Sequence, residues 1–378
     1  MRRALRLIVS VTLDGRSAGT WYAIETARRL QKRGHEILFL PRPAGKTIAM
    51  AREAGLKVID NVDLEQKSFS RLFRHPRQLG RIAREFRPDI VLTHWGEDHT
   101  FWALAKSFGG VKAKLIRVRA LDPKPPKKHP LSRWLHKRPT DHIVTVNHRL
   151  YDAYRMRLRI PEDKISIIGP GIDPSQFAGE QRADLAALGV PSGKRVIVLL
   201  ARFSPVKGHR ILLKAIPVVR EKHPDTHYLW LGFPSEYDAA MFKRWFVEAN
   251  VMDDVTVVDT MQTDLTAILR SCVIGVVSST GSESVSRSLL EYLGCGIPAV
   301  ATDVGGVPDL MSRGEFGVLV RPEDTNDLAM GIIRLLDRPD QGKSLGQNGR
   351  AYLLANQTWE HCIEQWDELL SRVGKIDT

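Results

Sequence analysis

Residues 278–308 read SSTGSESVSRSLLEYLGCGIPAVATDVGGVP. The apolar run Cys272–Val277 precedes this stretch and a second run, Ala299–Ala301, lies inside it, so the segment reads as strand, loop, helix, strand. Glu283 falls in the loop, and Glu291 sits eight residues on, about two helical turns into the helix. In an open α/β sheet, ligands bind beyond the carboxyl ends of the strands, where such a loop lies. A carboxylate there accepts hydrogen bonds from ligand hydroxyls. The first turn of the helix beside it offers unpaired backbone N–H groups to an anion. Two glutamates at this spacing also occur on ordinary solvated helices, so the pair needs a second motif to give it weight.

Outward from this unit, strand-like runs alternate with helical ones along the whole chain, which predicts doubly wound α/β architecture. Leu5–Leu13, His35–Leu40, Leu56–Ile59, Asp89–Thr93, Lys114–Val118, His142–Val146 and Lys164–Ile168 are the strands expected in the first half. Gly169-Pro170-Gly171-Ile172-Asp173 then breaks the pattern. Arg195–Leu200, Tyr228–Leu231, Val255–Val258, Val273–Val277 and Ala299–Ala301 form the second series. The expected domains are 1–175, with the terminal helix 358–378 returning to it, and 176–357. No G-x-G-x-x-G follows the first strand, which argues against a dinucleotide site.

A chain of 378 residues can bury two cores. Its three cysteines are far apart and form no C-x-x-C or Cys/His cluster, so neither zinc nor a disulfide framework is expected, and a reducing compartment is. The start, Met1-Arg2-Arg3 before an apolar run, imitates a signal peptide, but Arg6 interrupts the run and Asp14-Gly15 reads as a strand end. Net charge is +13 and unevenly spread: residues 1–177 carry 35 Lys and Arg against 17 Asp and Glu, or +18, whereas the remainder carries 21 against 26, or −5. The N-terminal half is therefore the one expected to meet an anionic partner.

The second motif is Ala201-Arg202-Phe203-Ser204-Pro205-Val206-Lys207-Gly208-His209, directly after a strand. Arg202 offers a planar fork and Lys207 a mobile point charge to phosphate oxygens, and Gly208 permits close backbone approach. Together, R-x4-K-G and E-x7-E resemble the corresponding elements of retaining family 4 glycosyltransferases of the GT-B fold. The resemblance covers most of the chain. It implies two Rossmann-like domains facing a central cleft, with the nucleotide-sugar donor on the C-terminal domain and the acceptor on the N-terminal one.

By that resemblance, Arg202 and Lys207 neutralise the diphosphate, Glu283 accepts from the transferred sugar and Glu291 from the ribose. Backbone N–H groups of Val285, Ser286 and Arg287 reach sugar or phosphate. Arg287 itself either binds donor or points to solvent. Ser284 stands where the family has glycine, and Ser17-Ala18-Gly19 replaces a glycine pair, so Gly19 alone carries over to the donor site. Thr20 is alternatively a helix N-cap. The family histidine beside the sugar is absent, and Arg119, His94 or His99 is expected to replace it. Asp253-Asp254 reads as a turn rather than a metal motif; no metal and no cofactor are expected.

From Lys67 to Arg87 basic residues recur at Lys67, Arg71, Arg74, Arg77, Arg81, Arg84 and Arg87, opposed by an apolar face of Phe69, Leu72, Phe73, Leu79, Ile82 and Phe86. Pro76 is expected to begin a second helix. A second basic cluster runs from Lys124 to Arg138 around Trp134. Such segments lie on anionic lipid head groups, and the aromatic residues do not interleave as a nucleic-acid stacking platform requires. With these features, the resemblance implies a glycosyltransferase acting on a glycolipid, oligosaccharide or lipopolysaccharide-type acceptor. It is expected in the cytoplasm, peripherally on the inner face of the membrane, with no nucleic-acid partner. The alternatives are a sugar-nucleotide epimerase of the same fold and a degenerate anion- or lipid-binding module.

Overall fold

The computed structural model describes residues 3–15, 17–64, 71–120, 125–260, 262, 264–281 and 283–374, the side chains of Arg71 and Arg313 excepted. The chain divides into two compact units, Met1–Pro170 with Trp359–Thr378, and Gly171–Thr358. Within the first, β1 (Arg6–Val11), β2 (Glu36–Pro41), β3 (Lys57–Val58), β4 (Ile90–Thr93), β5 (Lys114–Arg119), β6 (His142–Thr145) and β7 (Ile165–Ile167) form one sheet in the order β3-β2-β1-β4-β5-β6-β7. Within the second, β8 (Arg195–Leu200), β9 (Thr226–Leu231), β10 (Val255–Val258), β11 (Ile274–Val277), β12 (Ala299–Thr302) and β13 (Gly317–Val320) lie in the order β10-β9-β8-β11-β12-β13. Every recorded pairing is parallel.

Parallel sheets are covered on both faces, which is why these strands read as unbroken apolar runs rather than alternating ones. All of Leu7–Val11 is buried, and so is all of Thr226–Leu231. Ile8, Leu38, Val91 and Leu115 pack on Phe101 and Trp102 in the first core. Ile197, Tyr228 and Trp230 pack on Phe242 and Phe246 in the second. The strand β13 has no counterpart in the sequence reading. It has only four residues, and two of them, Val318 and Leu319, are only half-buried.

Seven helices matter to the sites: α1 (Ala18–Lys32), α2 (Arg71–Phe86), α3 (Gly96–Phe108), α4 (Pro130–Lys137), α5 (His209–Lys222), α6 (Arg287–Gly294) and α7 (Trp359–Val373). The terminal helix α7 belongs to the first unit. Trp366 Nε1 donates to the Tyr22 hydroxyl at 3.0 Å, which donates to the Ile168 carbonyl at 2.8 Å. Trp359 meets Trp21 edge-on at 5.3 Å.

Three expectations need correction. Ser17, not Thr20, caps α1: its hydroxyl accepts from the Thr20 amide at 3.1 Å. Pro76 begins no second helix but lies inside α2, which runs on through it. Packing holds the helix together there, because Gly80 and Gly109 bring α2 and α3 close. A Cβ on Gly80 would stand 2.7 Å from the Gly109 carbonyl oxygen, and one on Gly109 3.0 Å from that of Pro76. Phe73 is not on the buried face of α2; it is 62 % exposed. Of the basic stripe, Arg74, Arg77, Arg81, Arg84 and Arg87 are exposed. Lys67 and Phe69, and Lys124 of the second cluster, lie outside the described residues, as does the Arg71 side chain.

Candidate active site

In the second sheet the chain runs outward from β8 to β10 on one side and from β11 to β13 on the other. The loops leaving β8 and β11 therefore diverge from neighbouring strands and leave a crevice at their carboxyl ends, the topological switch point where open α/β sheets bind ligands. Both sequence motifs fall on these two loops. Arg202 to Lys207 follow β8, and Ser278 to Ser286 lead from β11 into α6.

Backbone and side chains tie the loops together. The Thr280 amide donates to the Val206 carbonyl at 2.9 Å, and Ser278 Oγ to the Lys207 carbonyl at 3.0 Å. Gly208 adopts a left-handed conformation, with φ +70°, and any Cβ there would overlap the Ser278 carbonyl oxygen. Two separate physical demands thus require glycine at this one position. Across the tie, Lys207 Nζ donates to Glu283 Oε1. The same oxygen accepts from Ser279 Oγ at 2.6 Å. Glu283 is 2 % exposed and Lys207 half-buried, so the pair is held in a poorly solvated place. Gly305 and Gly306 close the loop from behind: the Gly306 amide donates to the Glu283 carbonyl at 2.8 Å, and a Cβ on Gly305 would collide with that carbonyl.

Arg202 is exposed, and its side chain makes no hydrogen bond or ion pair among the described residues. Ser286 is the N-cap of α6, yet its hydroxyl forms no cap bond and is buried without a partner among the described residues. The first turn of α6 therefore keeps backbone donors available at the crevice. Arg287 points outward and is exposed, one turn ahead of Glu291. Burial pushes Glu291 above the usual carboxylate range, and the Arg287 charge pulls in the opposite direction.

Tyr292 is a residue whose role the sequence reading did not find. Its hydroxyl accepts from the Leu200 amide at 2.7 Å and lies 3.3 Å from the carbonyls of Val198 and Val276, on β8 and β11. The ring occupies the space where a Cβ on Gly275 would stand. Tyr292 thereby pins α6 to the two switch-point strands and fixes the direction of its neighbour Glu291. A glycine inside the apolar run Ile274–Val277 was the available signal, since a strand glycine marks close approach by another group.

The other expected residues belong to the first unit. Gly19 is buried in the first turn of α1. His94 follows β4 and is 3 % exposed, with Nδ1 lacking a partner among the described residues. Burial and the nearby Arg117 lower its pKa to about 3, so it is neutral near pH 7. His99 is also buried and neutral, and hydrogen-bonds Thr140 Oγ1 at 2.8 Å, a structural contact. Arg119 ends β5 and is half-buried.

Two family models match the chain: Glycosyltransferase Family 4 over residues 19–176, and Glycosyl transferases group 1 over residues 180–352. A D-inositol 3-phosphate glycosyltransferase of Stackebrandtia nassauensis is 26 % identical over 93 % of this chain and 85 % of its own. Further D-inositol 3-phosphate glycosyltransferases match over about half of their own length. Among solved structures, a glycosyltransferase of Rickettsia africae superposes with a TM-score of 0.85 at 19 % identity, covering 99 % of both chains. HepE of Anabaena, solved in complex with UDP, superposes with a TM-score of 0.83 at 17 % identity, covering 97 % of this chain and all of its own. The chain belongs to the glycosyltransferases of the GT-B fold, with a family 4 domain followed by a group 1 domain.

Proposed function

We propose that this glycosyltransferase retains anomeric configuration and moves a sugar from a nucleoside-diphosphate sugar to a glycolipid or lipopolysaccharide-type acceptor. The observation that carries the reading is the junction at the switch point, where Lys207, Glu283 and Ser279 meet. Cleavage of the anomeric C–O bond leaves growing negative charge on the diphosphate, and fixed positive charge aimed there lowers the barrier most. Arg202 and Lys207 supply it, aided by the backbone N–H groups of Val285, Ser286 and Arg287. An incoming diphosphate draws Lys207 away from Glu283. The freed carboxylate, still held by Ser279, then accepts from hydroxyls of the transferred sugar. Glu291 accepts from the ribose.

With two cations in place, the reaction is proposed to need no metal. Arg119 is the better replacement for the family histidine, because His94 is buried and neutral while Arg119 is only half-buried at a strand end. That HepE holds UDP supports a nucleotide donor. The +18 charge of residues 1–177 supports an acceptor on an anionic membrane, and with it peripheral attachment at the inner face of the cytoplasmic membrane. Among the described residues no helix is long and apolar enough to cross a membrane. The names of the D-inositol 3-phosphate relatives favour a second reading, a phosphorylated polyol as acceptor.

The test is a panel of UDP- and GDP-sugars, each offered with membrane lipid extract or with D-inositol 3-phosphate. Acceptor-stimulated release of nucleoside diphosphate is expected, with the product's anomeric coupling constant by NMR matching that of the donor. Epimerised free sugar would make the protein an epimerase, and an inverted anomer would overturn the retaining mechanism.

A further inference from the structure

The first unit contains a cavity of about 1110 Å³ bounded by α2, α3 and α4, at the upper end of the size range for small-molecule sites. Leu72, Phe73, Leu104, Phe108, Leu131 and Leu135 give it an apolar wall, beside which Arg77, Lys127 and His129 stand exposed. Three of the wall residues are strongly exposed, Phe73 at 62 %, Phe108 at 77 % and Leu131 at 53 %. Large apolar side chains gathered at one mouth are uncommon on a soluble surface and mark a binding site.

The inner end is chemically different. Trp95 and Glu97, just beyond β4, meet Arg117 and Arg119 of β5 there, together with Tyr154. Arg117 is 1 % exposed. One of its terminal nitrogens, Nη1, donates to the carbonyls of Thr93 and Trp95, while Nε has no partner among the described residues. Its nearest carboxylate, Asp98, stands 3.7 Å away and is occupied by the amides of His94, Trp95 and His99. Burial raises the Asp98 carboxyl above its usual range and lowers Arg117 below its own, so both charges of the pair are poorly solvated. His99 and His136, on the same wall, are held neutral by burial. Glu97 Oε2 is buried without a partner among the described residues, an acceptor left for a hydroxyl.

We propose that this cavity binds a single phosphate-bearing amphiphile, its hydrocarbon chain against Leu72, Phe73, Leu104, Phe108 and Leu131 and its phosphate at Arg119 above Arg117. A purely apolar occupant would seal the half-buried Arg119 and Glu97 Oε2, unpartnered among the described residues, under hydrocarbon, and a free phosphate would leave the six-residue apolar wall wet. Only a molecule with both parts satisfies both ends. The cationic surface of α2, with Arg74, Arg81 and Arg84 exposed, is the electrostatic complement of the membrane from which such a molecule would come. The proposal rests on the glycolipid reading of the acceptor and narrows it to a lipid phosphate.

The test is calorimetric titration of the full chain with butyl and octyl phosphate, inorganic phosphate and octyl glucoside. Burial of about 0.8 kcal/mol per methylene is roughly fourfold in affinity, so octyl phosphate should bind on the order of 10²-fold tighter than butyl phosphate. Octyl glucoside and inorganic phosphate should each bind at least tenfold more weakly than octyl phosphate. Leu104→Trp, which fills the cavity, should lower octyl phosphate affinity tenfold or more. Phe108→Ser, at an exposed position that does not threaten folding, should lower it severalfold.

Equal binding of butyl and octyl phosphate, or of octyl glucoside and octyl phosphate, overturns the proposal, as does undiminished binding in both variants. D-inositol 3-phosphate binding as tightly as octyl phosphate assigns the site to a free phosphate and also overturns it. UDP and GDP are titrated in parallel. Nucleotide binding without octyl phosphate binding sinks this inference and spares the donor reading, whereas the reverse sinks the donor reading alone.

Discussion

Replacing Lys207 by alanine should injure the protein twice, once in its chemistry and once in its folding. In the chemistry, the change removes the cation proposed to face the leaving diphosphate, and losing one such electrostatic contact costs about 10²–10³ in kcat. In folding, it leaves Glu283 as a carboxylate 2 % exposed, with Ser279 Oγ its remaining side-chain donor. Removing one partner of a fully buried ion pair costs about 3–5 kcal/mol. Lys207 keeps 23 % of its side-chain surface in water, so screening reduces this to roughly 1–3 kcal/mol. At about 2–4 °C per kcal/mol for a unit of this size, the melting temperature should fall by about 2–12 °C.

The two injuries separate in a double-mutant cycle. Adding Glu283→Gln to Lys207→Ala removes the stranded charge while keeping an oxygen for Ser279. The double variant should therefore melt above the single Lys207 variant, though it remains inactive. Thermal unfolding followed by circular dichroism reads the first quantity, and nucleoside-diphosphate release the second. A double variant that melts no higher than Lys207→Ala would show that the ion pair carries no coupling energy. An unchanged kcat with only KM raised would make Lys207 a ground-state contact and refute its catalytic role.

Glu291→Ala should weaken binding of free nucleoside diphosphate by about 1.5–3 kcal/mol, whereas Glu283→Ala should spare it and weaken only the intact donor; calorimetry giving the reverse order would exchange the two assignments. Activity should survive EDTA, and a loss restored by Mg²⁺ would reveal a metal requirement. Acid should unfold the chain as pH falls below about 6.5, because His94, at about 3, and His136, His142 and His209, each at about 4, refuse protons that the unfolded chain accepts. Asp98, raised to about 7, opposes this, its contribution being complete at low pH and lost as pH rises through 7; a melting temperature flat from pH 7 to pH 4.5 would contradict the histidine assignment. Vesicles rich in anionic lipid should bind the protein at low salt and release much of it near ~0.5 M, where screening is short-ranged, and changing Arg74, Arg81 and Arg84 to Ser should cut that binding; equal affinity for neutral vesicles would count against a charge-driven surface.

The candidate site of the second unit was legible because its residues are local in sequence. Arg202 and Lys207 share one loop, and Glu283 and Glu291 share one loop and helix, so short motifs hold both pairs. Their meeting follows from sheet order alone, since β8 and β11 are neighbours at the switch point. What the motifs did not carry were the supports. Tyr292, Ser279 and Gly305 hold the glutamates by contacts with β8, β12 and the Glu283 loop, and only the folded chain shows which glycine leaves room for which ring or carbonyl.

The first unit resists the same reading for a reason of scale. Its cavity draws on α2, α3, α4 and the ends of β4 and β5, stretching from Leu72 to Tyr154, and no spacing rule spans that distance. The charge pattern also misleads there. Arg117 and Arg119, two residues apart on β5, read as one solvated face of the strand, yet Arg117 is 1 % exposed inside a parallel sheet. Phe73 errs in the other direction, exposed where the helical period placed it in the core. A buried arginine carries a desolvation cost that its partners must offset, and large exposed rings gathered on one surface mark a binding site. Both line one cavity, so a single amphiphilic ligand would relieve both departures together.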